Sequence, residues 1–320
     1  MAYKSQILNN AQGVKQTITT ITGISKRVSE QKFYTIPFAE FVPVIPGDNA
    51  FDINILNWRS FSKDDGFKTG LIGNNANKAQ RNNSDAVFDA VMQQTRFWAK
   101  NIEFSMIELE QAAKANNLFS LIEARERARK KAWDLGLQEV AFLGINGDSE
   151  IQGLLNLSNV HNNTTTIVKP LSAMTATELQ SFIAAIYETY RANCNRTAHA
   201  TKFILPESDF NGLSSFPDIT FPIKTRLQII EETFKTLSQN AEFKIMPLAY
   251  ANKANNPMAV NRYVLTVDDP ESIKMQIPID YSTTQPGSED GFCWTNTGYG
   301  QFTGVLALRE KETLYFSHAV

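Results

Sequence analysis

Residues 117–156 read NLFSLIEARERARKKAWDLGLQEVAFLGINGDSEIQGLLN, and this stretch decides the fold. Leu118, Leu121, Ile122, Ala128, Ala132, Leu135 and Ala141 recur mostly three, four or seven positions apart, which predicts one apolar stripe along a helix. Glu123, Arg125, Glu126, Arg127, Arg129, Lys130, Lys131 and Asp134 fall on the other side. Helix formers dominate, and the first glycine, Gly136, costs about 1 kcal/mol relative to alanine. A helix of about 25 residues would span roughly 37 Å, more than the width of a small domain. Other pieces of the chain must therefore be laid along it. The glycines of GINGDSEIQG (144–153) predict a tight turn that ends it.

Composition narrows the function classes. The 320 residues suffice for one large domain or two to three smaller ones. A net charge of −2 gives no global electrostatic case for nucleic-acid or acidic-substrate binding. Two cysteines, Cys194 and Cys293, are too few for a disulfide scaffold and are expected as free, buried thiols in a reducing compartment. The first twenty residues lack the apolar core of a signal peptide, and no run approaches the ~20 apolar residues of a membrane span. The chain is thus expected to be made and used in the cytoplasm, or in something assembled there.

Upstream of the helix, residues 1–36 are polar and carry Lys4, Lys15, Lys26, Arg27 and Lys32 against Glu30, as a weakly ordered arm would. Residues 51–57 alternate, with Phe51, Ile53, Ile55 and Asn57 predicted on one strand face and Asp52, Asn54 and Leu56 on the other. A long loop rich in Gly, Asn and Asp follows, and residues 86–112 return as strand leading into helix. Two strands around so long a tip make a projecting hairpin carrying Trp58, Phe61, Phe67, Phe88, Phe97 and Trp98. Such a hairpin has no core of its own, so about half of these aromatics are expected on a neighbouring subunit, where aromatic side chains supply most contact energy.

Downstream, residues 175–193 predict a helix capped by Thr175 or Thr177, with Leu179, Phe182, Ile183, Ile186, Tyr187 and Tyr190 buried. A strand ending at Pro206, a short helix over ESDFNGLSS and a second amphipathic helix from Thr225 follow. Strands are then predicted at AEFKIMPLAYA and RYVLTVDD, further extended chain at PESIKMQIPID, and two or three strands after Phe292.

Catalytic and ligand motifs fail on spacing. GINGDSEIQG has no Lys-Ser or Lys-Thr for a phosphate loop and no closing Glu for a calcium loop. His161, His199 and His318 offer no second pair with Cys194 at zinc-ligand spacing, and no nucleophile elbow occurs. GYGQFTG (298–304) reads as a strand packed closely against another backbone, not as a nucleotide cradle. RERARKK (125–131) alternates with acids and reads as a solvated or intersubunit salt-bridged face. No enzyme activity, cofactor or metal is therefore expected.

Three features occur in one order: the charged helix running into AFLGINGDSEIQGLLN, the helix, strand, Leu-Pro and short helix of 175–214, and YVLTVDDPESI at 263–273. Together they resemble the major capsid proteins of tailed bacteriophages with the Hong Kong 97-type fold. The resemblance implies an α+β chain with an N-terminal arm (1–36), a projecting β-hairpin or E-loop with flanking strands (37–100), and a peripheral domain holding the spine helix (101–165). An axial domain (166–300, part of 255–290 being free to return to the peripheral domain) and C-terminal strands (301–320) that pack back on the spine complete it. It implies a structural virion subunit, assembled in the bacterial cytoplasm, whose hexamers and pentamers tile an icosahedral shell around phage double-stranded DNA. Its main partner would be itself, with portal, scaffolding and decoration proteins besides, DNA only by weak non-specific contact, and no membrane. Trp58, Phe61, Phe67, Lys68 and Phe88 on the hairpin and Arg125 and Arg129 on the spine are the subunit-interface residues this predicts.

Some relatives cross-link a loop lysine to a neighbour's asparagine. Lys63, Lys68 and Lys78 are available, but no spacing identifies a reactive pair. Only a short arm precedes the hairpin, in contrast to relatives with a cleaved scaffolding segment. The alternative on the same fold is an encapsulin shell that encloses cargo enzymes.

Overall fold

The computed structural model describes residues 32–62, 86–108, 110, 121–214, 224–288 and 291–318. Expectations for residues 1–31 and for the loop with Lys63, Phe67, Lys68 and Lys78 lie outside these residues, as does the side chain of Phe61.

The spine is helix α1, Leu121–Leu143. It runs through Gly136, which is exposed and tolerated. Its buried line differs from the predicted stripe. Ala128 is exposed, while Arg129, Trp133, Leu137, Val140 and Ala141 face inward at helical spacing. The charge pattern hid this face, because a buried arginine with its partners satisfied reads in sequence like a surface one.

The turn after α1 works as a cap. A helix leaves its last four carbonyls without intrahelical partners. Here Gly144 N donates to Val140 O (2.9 Å), Leu154 N to Ala141 O (2.8 Å), and Leu155 N to Phe142 O (2.9 Å). Asn156 Nδ2 donates to Leu143 O at 3.1 Å. All four orphan carbonyls are therefore satisfied by one loop. Gly144 takes φ +77°, the left-handed conformation expected at a helix end. Gly153 lies so close to the helix end that a Cβ on it would sit 2.4 Å from Leu143 N and Gly144 N.

A five-stranded mixed sheet forms the centre of the molecule. Its order is β4 (Asn162–Asn163), β12 (Leu314–His318), β7 (Asn261–Thr266), β5 (Lys202–Pro206) and β6 (Lys244–Leu248). The β4–β12 and β5–β6 pairs are parallel and the two central pairs antiparallel. Its three middle strands are almost wholly buried, because both faces are covered. Phe203, Leu205, Tyr263, Leu265, Leu314 and Phe316 face one core, with helices α2 (Ala176–Asn193), α3 (Glu207–Ser214) and α4 (Arg226–Ser238) above them. The alternate residues Ile204, Val264 and Tyr315 face a second core with Trp133, Leu137 and Phe142 of α1. Each fully buried side chain of this size contributes about 1.5–3 kcal/mol. Thr175 and Thr225 both form capping boxes, with Glu178 and Gln228 respectively.

A four-stranded sheet runs β2 (Asn54–Ser62), β3 (Ala86–Ser105), β10 (Cys293–Thr303) and β9 (Ile279–Thr283). A three-stranded one runs β1 (Val44–Pro46), β8 (Ile273–Ile277) and β11 (Val305–Ala307).

Three expectations need correction here. Strand β2 starts only at Asn54: Phe51 has φ +66°, which ends any strand, and Phe51 and Ile53 are exposed. Cys293 is exposed, while Cys194 is buried, and neither is in a disulfide. Of the C-terminal strands, β10 packs on α1, whereas β12 joins the five-stranded sheet and reaches the spine core through Tyr315.

Candidate intersubunit surfaces

Strands β2 and β3 pair antiparallel over Asn54–Ser62 and Ala86–Gln94, which places directly opposed residues on the same face. One face carries Ile55, Asn57 and Gln93, and these are buried. The other carries Leu56 opposite Met92, Trp58 opposite Ala90, and Phe88 opposite Ser60. Leu56, Trp58, Phe88 and Met92 are 55%, 67%, 69% and 57% exposed. Four large apolar side chains thus form one ladder left exposed by the described residues, beyond what scattered surface apolars require.

The hairpin is anchored at its base. Gln93 Nε2 donates to Gly304 O at 2.7 Å, and Thr95 Oγ1 and Gln301 Nε2 both donate to Asp52 O at 2.7 Å. Farther out, Arg59 pairs with Asp89 across the ladder (2.7 Å) and with Glu310 on the body (3.3 Å). Between hairpin and body lies a cleft of about 980 Å³ lined by Trp58, Arg59, Glu271, Lys274, Arg309 and Glu310.

The spine arginines are used within the subunit. Arg129, 2% exposed, places its guanidinium between Glu126 (2.7 Å), Tyr281 Oη (2.8 Å) and Asn296 O (2.7 Å). Arg125 is half-buried and pairs with Glu108 at 3.0 Å while donating to Glu103 O. That pair depresses the Glu108 carboxyl, chiefly through the Arg125 hydrogen bond. Arg125 therefore pins α1 to strand β3 and its sequel, and Arg129 pins it to β10 and β9, with one bond to Lys100 O on β3. Of the predicted interface residues, Trp58 and Phe88 share the exposed ladder, Arg125 and Arg129 lie together on the spine, and Phe67 and Lys68 fall outside the described residues. Phe97 is exposed, and Trp98 packs against Trp133. Leu56 and Met92 were not singled out in sequence. The alternation of 54–60 carried the signal for Leu56, but only strand pairing shows that Met92 lies opposite it.

GYGQFTG is the close-packed strand expected. A Cβ on Gly300 would lie 2.4 Å from the indole of Trp133, so the glycine is what lets α1 lie flat on β10. Among the described residues no group of three or more His, Cys, Asp or Glu could hold a metal ion, and no helix is long and apolar enough to cross a membrane.

A family model described as major capsid protein matches residues 68–317. The chain belongs to the major capsid protein family. Among solved structures, the capsid of Myoviridae phage XM1 is similar with a TM-score of 0.72 at 16% identity, covering 94% of this chain and 97% of that one. A Mycobacterium phage Ogopogo structure matches with a TM-score of 0.57 at 14% identity over 95% and 98% of the two chains. One from Gordonia phage Cozz reaches 0.58 at 11% identity over 93% and 91%. No curated protein is similar in sequence. At these identities the structures show the fold, the Hong Kong 97-type α+β fold, and family membership supplies the role. As a member of this family it is a structural subunit of a capsid shell.

Proposed function

We propose that this capsid protein self-assembles into hexamers and pentamers that tile an icosahedral shell enclosing phage double-stranded DNA. The observation that carries the reading is the exposed ladder of Leu56, Trp58, Phe88 and Met92 on a hairpin that the described residues anchor at its base and flank. Buried against a neighbour, an aromatic in such a ladder is worth about 2 kcal/mol or more per contact. Closed rotational symmetry repeats each contact around a ring, so modest contacts sum to a stable assembly. Portal, scaffolding and decoration proteins are further partners of such a shell. With a net charge of −2 the wall would meet packaged DNA by weak, non-specific contact.

Purified subunits should form closed particles visible by negative-stain microscopy, with five-fold and six-fold capsomers resolved by image classification. The double variant Trp58→Ser, Phe88→Ser should keep the wild-type circular dichroism yet elute as monomer. Wild-type-like particles from that variant would show that the ladder does not hold subunits together.

A further inference from the structure

The central sheet holds a cation that no carboxylate among the described residues neutralises. Arg262 on β7 is 4% exposed, and it forms no ion pair among the described residues. One guanidinium nitrogen donates to Leu155 O and another to the thioether of Met258 at 3.2 Å, a weak acceptor. The Tyr315 ring lies against the guanidinium, 4.8 Å from its centroid, and Nε has no hydrogen-bond partner. A buried guanidinium without a carboxylate is costly, because lost hydration is not made good by a counter-charge. Arg262 lines a surface cavity of about 520 Å³ together with Asn162, Val168, Met258 and His318. His318 Nδ1 is also buried without a partner, its Nε2 being taken by Val168 O at 2.7 Å.

The rim tells what chemistry fits. Val168 and Met258 are exposed apolar side chains beside the opening, and no lysine lines it. A nucleic-acid phosphate is met by a basic rim that adds further phosphate contacts. An apolar rim around a desolvated arginine is instead the make-up of a protein–protein anchor point.

We propose that this cavity receives an acidic side chain from a second copy of the capsid protein, whose carboxylate pairs with Arg262 while its flanking residues cover Val168 and Met258. The inference rests on the shell reading above and adds a second contact, at the β4–β12–β7 edge of the five-stranded sheet and not on the hairpin: a charge completed only by assembly.

The decisive variant is Met258→Glu in the full chain. Glutamate matches methionine in length and would place a carboxylate where the thioether now accepts from Arg262. The isolated subunit should melt at a higher temperature, while the critical concentration for particle formation, read by light scattering, should rise about tenfold or more. Met258→Gln, equal in length but neutral, should leave both near wild type. Assembly of Met258→Glu at wild-type concentration would overturn the proposal, as would identical behaviour of the Glu and Gln variants. A lowered melting temperature of the subunit on deleting residues 319–320 would also overturn it, because the carboxylate would then come from the chain's own end. Wild-type chain that forms no particles defeats the shell reading, and this inference with it. Particles that form normally with Met258→Glu defeat this inference alone.

Discussion

At the scale of single residues, Gly-Leu-Leu-Asn at 153–156 does its work through backbone atoms. Leu154 and Leu155 donate their amides to the last turn of the spine, and Asn156 supplies its side-chain amide. Gly153 stands where any Cβ would strike backbone, which cannot swing aside as a flexible side chain can. Gly153→Ala should therefore destabilise the subunit by about 3 kcal/mol or more, seen as a lowered urea midpoint; an unchanged midpoint would contradict the packing described. A second residue-scale prediction concerns pH. The Lys169 ammonium at 2.8 Å and the Thr175 amide at 3.0 Å hold the Glu178 carboxyl down from its ordinary 4.5 to about 2. A depressed carboxylate favours the folded state above its ordinary value, and this contribution fades as pH falls from about 4.5 toward about 2. An NMR titration of Glu178 should find its midpoint near 2, and Lys169→Met should move it upward; a midpoint unmoved by that change would show that Lys169 is not the cause.

Among the elements, the β2–β3 hairpin is the one whose position the sequence least secures. A two-stranded ribbon is marginal by itself in water. Its base is tied by Gln93 and Thr95, while Arg59 links its middle to Glu310 across the rim of a large cleft. Replacing Arg59 by Met should speed amide exchange in residues 57–62 and 86–91 severalfold, with residues 95–105 unchanged because β10 pairs with them. Uniform protection in both segments would show that the ion pair does not steady the ribbon. Its partial exposure argues for a modest and salt-dependent effect.

For the whole molecule, the five-stranded sheet decides cooperativity. Strands β5, β7 and β12 send alternate side chains into opposite cores: Phe203 and Ile204, Tyr263 and Val264, Phe316 and Tyr315 diverge within single strands. Neither core can dissolve without removing one face of the same sheet. Thermal unfolding of the isolated subunit should thus be one transition, with tryptophan fluorescence and far-ultraviolet circular dichroism coincident. Two well-separated midpoints would mean that the cores melt independently.

The sequence by itself determined the elements and their order. Local chemistry suffices for a Thr-x-x-Glu cap at 175–178, for alternation along 54–60 and for the stop of the spine at Gly144, since these depend on neighbours a few residues away. The order of those elements carried the family, and the family the role of a shell subunit. Tertiary structure alone decided which spine face is buried, because Arg129 becomes an inward residue only when Glu126, Tyr281 and Asn296 converge on it. It alone placed β12 beside β7 and Met92 opposite Leu56, pairings between residues 36 or more positions apart. It alone left Arg262 buried with no carboxylate partner among the described residues. Periodicity reports which side of an element is apolar, but the partner that covers it, or is lacking, depends on contacts between segments distant in the chain.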